Sequence, residues 1–100
     1  MVKHIVMWKL KEQANGNTKT KNAKLIKERL ESLNGKIPGL LKLEVGIDFS
    51  ATEESFDVVL YSEFSSDAEL KNYQKHPEHK AVMPFIGEVR QKRAVVDYVI

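Results

Sequence analysis

An α+β domain with the element order βαββαβ is the fold class this chain predicts. Three observations carry it. Four segments show the alternation or the doubly apolar run of strands, and two regions carry apolar side chains at helical spacing. One helical region falls between the first and second strands, the other between the third and fourth. With 100 residues, 42% hydrophobic and 30% charged, the chain can bury one core and is read as a single domain over residues 1–100. No repeat, low-complexity stretch or linker divides it.

The first strand, residues 2–10, puts Val2, His4, Val6, Trp8 and Leu10 on one face and Ile5 and Met7 on the other. Both faces are apolar, so the strand is expected to be central and covered twice. Residues 12–18 are polar and read as a loop, with Thr18 or Thr20 as the cap of the following helix. Ala23, Ile26, Leu30 and Leu33 recur at helical spacing, Leu25 widens the stripe, and Asn34-Gly35 ends it. The Ile37-Pro38-Gly39 turn leads into an alternating row, Leu41, Leu43, Val45, Ile47 and Phe49, expected as the second strand. Polar residues 50–55 form a hairpin-type loop before a third strand over 56–64, with Phe56, Val58, Leu60 and Phe64 facing one way and Val59 and Tyr61 the other. Ser66 or Asp67 caps a helix carrying Leu70 and Tyr73. Pro77 interrupts it, having no N–H to continue the ladder, and suits the first turn of a new helix through Ala81, Val82, Phe85, Ile86 and Val89. Pro84 is expected to kink that helix. Residues 94–100, apolar on both parities, make the fourth strand.

Arranged as a split βαβ unit, these elements give the ferredoxin-like plan, a four-stranded antiparallel sheet with its helices on one side. The other face is then bare, yet Ile5, Met7, Val59, Tyr61 and one parity of the fourth strand make it apolar. At about 25 cal/mol per Å², covering several hundred Å² of that face is worth on the order of ten kcal/mol before association costs. A two-fold homodimer with sheet facing sheet is the expected solution.

Charge and composition exclude several functions. The formal net charge is +2, but residues 1–29 hold seven lysines and Arg29 against two glutamates, a local +6, and the remainder is −4. Lys19, Lys21, Lys24 and Lys27 could contact phosphates, but no aromatic residue lies among them to stack on a base, and no nucleic-acid-binding motif accompanies them. They read as a solvated helix face, and no nucleic-acid partner is expected. Absence of cysteine removes disulfide, thiolate and thiol chemistry and suits a reducing, cytoplasmic compartment. The apolar run at the start is too short and too soon broken by lysine for a signal peptide, and no segment approaches a membrane span. No glycine loop cradles phosphate, and no serine sits in a nucleophile-elbow context.

Chemistry concentrates in Tyr73-Gln74-Lys75-His76-Pro77-Glu78-His79-Lys80, which holds two of the three histidines, and the third is His4. A phenol, imidazoles and a carboxylate can handle protons near neutral pH. Each also has a structural reading: His79 as a surface or capping residue, His76 as a helix terminator bonded to nearby backbone, His4 as a satisfied core histidine, Tyr73 as core with its hydroxyl at an edge. A metal site is not expected, because His76 and His79 straddle the Pro77 break instead of sitting four apart on one helix.

The opening Val2-Lys3-His4-Ile5-Val6, the stretch from Gly35-Lys36-Ile37-Pro38-Gly39 through Leu43-Glu44-Val45-Gly46, the His76-Pro77-Glu78-His79 element and the ending Ala94-Val95-Val96-Asp97-Tyr98 together resemble the stress-responsive A/B barrel (Dabb) domain family. The resemblance spans essentially the whole chain. It implies a dimeric α+β barrel of two ferredoxin-like protomers, and no single reaction. Most such proteins are small, stress-linked or uncharacterised, while one plant branch is a polyketide cyclase that makes olivetolic acid by aldol closure without a cofactor. That branch uses a tyrosine and a histidine that align with Tyr73 and His79, and a first-strand histidine that aligns with His4. Carried over, His79 is the general base, Tyr73 donates to the developing oxyanion, and His4 holds or polarises the substrate. Val6 and Trp8 would wall the cavity beside His4, with Val82 and Phe85 opposite, and Trp8 and Met83 would reshape it for a different small carbonyl or aromatic ligand. No cofactor is implied. The two classes left open are a cofactor-independent lyase or cyclase, with a cofactor-free monooxygenase as a variant, and a non-catalytic stress-linked dimeric binding or scaffold protein.

Overall fold

The computed structural model describes all 100 residues. Its main sheet is built of β1 Val2–Leu10, β4 Leu40–Ile47, β5 Val58–Phe64 and β6 Arg90–Val99. Their order across the sheet is β4-β5-β1-β6, every neighbouring pair antiparallel. Helices α1 Lys19–Glu31, α2 Asp67–Lys75 and α3 Pro77–Val89 lie on one face. This is the ferredoxin-like arrangement that the periodicities predict. β1 is central, and Val2, His4, Val6, Trp8 and Leu10 are all buried on its helical side.

Residues 12–18 are more than a loop. Gln13–Ala14 and Asn17–Thr18 pair as a small hairpin, β2 and β3. Its two turn residues, Asn15 (φ 54°) and Gly16 (φ 79°), both take left-handed backbone, as tight two-residue hairpins require. Thr18 then caps α1, its hydroxyl accepting from the Lys21 N–H at 3.3 Å. Asn22, buried on α1, donates to the Ala14 carbonyl at 3.1 Å and fastens the hairpin to the helix.

The second strand departs from the predicted row. Leu43 and Val45 face the core, but the pairing register shifts between Leu40 and Lys42, leaving Leu41 exposed, and Phe49 lies beyond the strand end, also exposed. β4 is an edge strand, and α1 satisfies part of that edge. The Lys27 ammonium donates to the Val45 carbonyl at 2.6 Å, and the Val45 N–H donates to the Glu31 carboxylate at 3.1 Å. β5 begins at Val58, two residues after the expected start. β6 begins at Arg90, four residues before it, because the ladder to β1 continues through Trp8↔Arg93 and Lys9↔Lys92 with no apolar periodicity to announce it.

Ser66 caps α2 through the Glu69 N–H at 3.3 Å. His76 ends α2 and caps α3, its Nδ1 accepting from the Glu78 N–H at 3.1 Å. Pro77 supplies the first turn of α3, which continues as one helix through Pro84 to Val89.

The helices do not reach across β6. Val95 and Val99, on the helical side, and Val96 and Tyr98, on the outer side, are all exposed. The outer face of the sheet carries Ile5, Met7, Val59 and Tyr61, half-buried, around one polar island. There Lys3 bonds both the Tyr61 hydroxyl and the Glu63 carboxylate, the latter at 2.8 Å, and the tyrosine donates to Glu63 at 2.5 Å. The Lys3 ammonium holds the Glu63 carboxyl below the usual carboxylate range.

Candidate functional site

A cavity of about 170 Å³ opens between the sheet and α3. The sheet contributes His4, Val6, Trp8 and Leu60, the first three projecting together because alternate residues of a strand share a face. From the helices come Gln74 on α2 and His79, Met83, Ile86 and Gly87 on α3. Arg90 and Arg93, at the start of β6, complete the wall.

His4 is buried, and its Nδ1 meets the Asp97 carboxylate, its register partner across β1 and β6. A carboxylate can only accept, so Nδ1 carries a proton and donates, which leaves Nε2 for other work. In the protonated ring Nε2 is also a donor. His79 stands in the first turn of α3 with its Nδ1 buried and unpartnered. Burial holds its pKa below the ordinary histidine value. Charge at His4 and Arg93 pushes the same way, and the Gln74 backbone opposes them. The ring is therefore neutral at neutral pH.

Tyr73 is wholly buried on α2 and does not line the cavity. Its ring packs on His79, centroids 4.4 Å apart, with Phe64 at 5.1 Å and an edge contact to His4 at 6.4 Å. Its hydroxyl has no partner, and burial pushes the phenol well above its usual range, so it stays protonated. Thus His4, Val6, Trp8 and His79 meet at one cavity, and Tyr73 stands behind His79.

Val82 and Phe85 are placed differently from the expectation. Both are core residues, and Phe85 receives the Arg29 guanidinium of α1 on its ring at 4.0 Å. The reason is helical phase: 79, 83 and 86 share the face toward the cavity, while 82, 85 and 89 share the face toward the core. His76 is engaged in its capping bond and does not line the cavity. Sequence reasoning missed Asp97, Arg90, Arg93 and Gln74 as members of the site. The available signal was register: antiparallel pairing sets Asp97, the one acid in an apolar run, opposite His4. A larger cavity, about 370 Å³, opens on the outer face around Met7, Ile47, Phe49, Phe56 and Val59, but Asp48 is its only ionisable residue. The proton-handling groups belong to the smaller one.

A ferredoxin-like antiparallel sheet with a histidine-bearing cavity under its helices defines the class, a small α+β protomer with a side pocket. The stress responsive A/B barrel domain matches residues 2–100, and the chain belongs to that family. No curated protein matches the sequence. Among solved structures, a dimeric ferredoxin-like protein of unknown function from Bacteroides fragilis is similar at 37% identity, covering 99% of this chain and 95% of its own, with a TM-score of 0.87. Hydroxynitrile lyase from Passiflora edulis shares the fold at 23% identity, covering 99% and 92%, TM-score 0.79. An antibiotic biosynthesis monooxygenase does so at 17% identity, covering 100% and 98%, TM-score 0.71. No helix of this chain is long and apolar enough to cross a membrane.

Proposed function

We propose that the chain is a homodimeric, cofactor-independent proton-transfer catalyst of the lyase or aldol-cyclase type, acting on a small carbonyl or aromatic compound in the cytoplasm. One observation carries this reading: two imidazoles of different hydrogen-bonding state, His4 held by Asp97 and His79 unpartnered at Nδ1, line a single cavity with apolar walls. Environments that differ in this way assign acid and base. His79 takes the proton alpha to the carbonyl, and its neutral form at neutral pH makes it available as a base. His4, fixed through Nδ1 by Asp97, holds and orients the substrate carbonyl beside His79. The carbanion then forms a C–C bond to a second carbonyl carbon of the substrate, the π bond of that carbonyl opens onto its oxygen, and His79 returns the proton to that oxygen. Tyr73 acts through its ring, bracing His79, because its hydroxyl lies outside the cavity lining.

Support for the homodimer comes from the bare outer face and from the dimeric description of similar proteins from Bacteroides fragilis, Thermobifida fusca and Jannaschia. The absence of cysteine suits the compartment. The test is exchange of the alpha protons of acetylacetone with deuterated water, followed by NMR. Wild-type protein is expected to accelerate exchange and His79→Gln to lose at least about a hundredfold, the usual lower bound for a positioned base. Equal rates for the two proteins would remove the basis for the assignment.

A further inference from the structure

Arg90 and Arg93 give the cavity a charge that proton transfer by the histidines does not use. Both line it, and the ladder sets them opposite Leu10 and Trp8, on the same side of the sheet as His4. None of the protomer's ion pairs includes either arginine, whereas Lys3, Lys19, Lys27 and Lys71 all find carboxylates. No aspartate or glutamate lines the cavity, and the nearby acid, Asp97, is taken by His4. Two permanently charged guanidinium groups therefore border an apolar chamber that contains no resident counter-charge. Such forks match a carboxylate in shape and charge. The volume, about 170 Å³, is below the ~300 Å³ at which drug-sized ligands begin to fit.

We infer that the cavity selects a small carboxylate, a keto acid or a compact aromatic acid, with its carboxylate on Arg90 and Arg93 and its apolar body against Trp8 and Ile86. This rests on the proton-transfer reading and narrows it. Removing a proton alpha to the carbonyl of a keto acid creates a second negative charge on a molecule that already has one. Cations beside the chamber offset that charge as it develops.

Trp8 is the only tryptophan and lines the cavity, so its fluorescence reports occupancy directly. Titration with benzoate and with its neutral isostere benzamide is the experiment, repeated for the exposed double substitution Arg90→Gln/Arg93→Gln and for Arg93→Gln alone. Benzoate is expected to bind at least about tenfold more tightly than benzamide, and the double variant to lose that preference while melting like wild type. If the double variant does not fold, the single one carries the comparison with a partial loss. Equal binding of acid and amide, no binding of benzoate at millimolar concentration, or an unchanged preference in the variants would overturn the inference. Deuterium exchange into acetylacetone separates the two readings. Exchange without a preference for the acid sinks only the carboxylate site, and preference without exchange sinks only the base.

Discussion

His79 illustrates how one side chain ties fold to chemistry. Its folded pKa lies below the ordinary value of 6.5, so between the two values the unfolded chain binds more protons than the folded one. Its contribution to stability is complete above that ordinary value and declines as pH falls below it toward the folded value. His79→Gln should flatten this part of the profile, read as urea midpoints between roughly pH 5 and 7.5. Parallel profiles for the two proteins would contradict a buried neutral imidazole. Tyr73 allows a second test, because its buried hydroxyl has no partner. Removing an unsatisfied group is cheap, so Tyr73→Phe should leave stability unchanged or raise it by up to about 1 kcal/mol. It should also keep exchange activity, since the ring remains to hold His79, and a large loss of rate would show that the hydroxyl itself takes part. The sequence exposed His4 and His79 as candidates because histidine is rare here and its chemistry is distinctive. Asp97, Arg90 and Arg93 were hidden because their membership depends on cross-strand register, which side-chain type alone does not encode.

At the scale of elements, the long periodic segments were readable and the short or paired ones were not. β1 and α1 follow their hydrophobic patterns, and Pro77 marks the boundary of α2 and α3 as its chemistry dictates. The β2–β3 hairpin escaped because four paired residues carry no period, although Asn15-Gly16 is itself a strong turn signal. The first residues of β6 are cationic and become strand only by pairing with β1. The turn before β4 gives a graded prediction. Gly35 and Gly39 both have left-handed backbone, φ +80° and +84°. A methyl group at Gly35 would meet nothing, while at Gly39 it would fall 1.9 Å from the Glu69 carboxylate and 2.8 Å from its Cβ. Gly35→Ala should therefore cost about 1 kcal/mol from backbone strain, and Gly39→Ala distinctly more, by chemical denaturation. Equal costs would mean that Glu69 yields without penalty.

For the whole molecule, the helices cover one side of β4, β5 and β1 and leave an apolar outer face with the Lys3, Tyr61 and Glu63 island within it. Val96 lies on that face opposite Ile5. Val96→Asp should convert a two-fold assembly into single subunits by sedimentation, while Lys24→Glu, on the exposed side of α1, should not. Identical sedimentation of the two variants would place the contact elsewhere. β6 adds a hazard of its own, since neither of its faces is covered and one of its edges has no neighbour. An open edge of this kind is a ready template on which further chains can pair strand by strand.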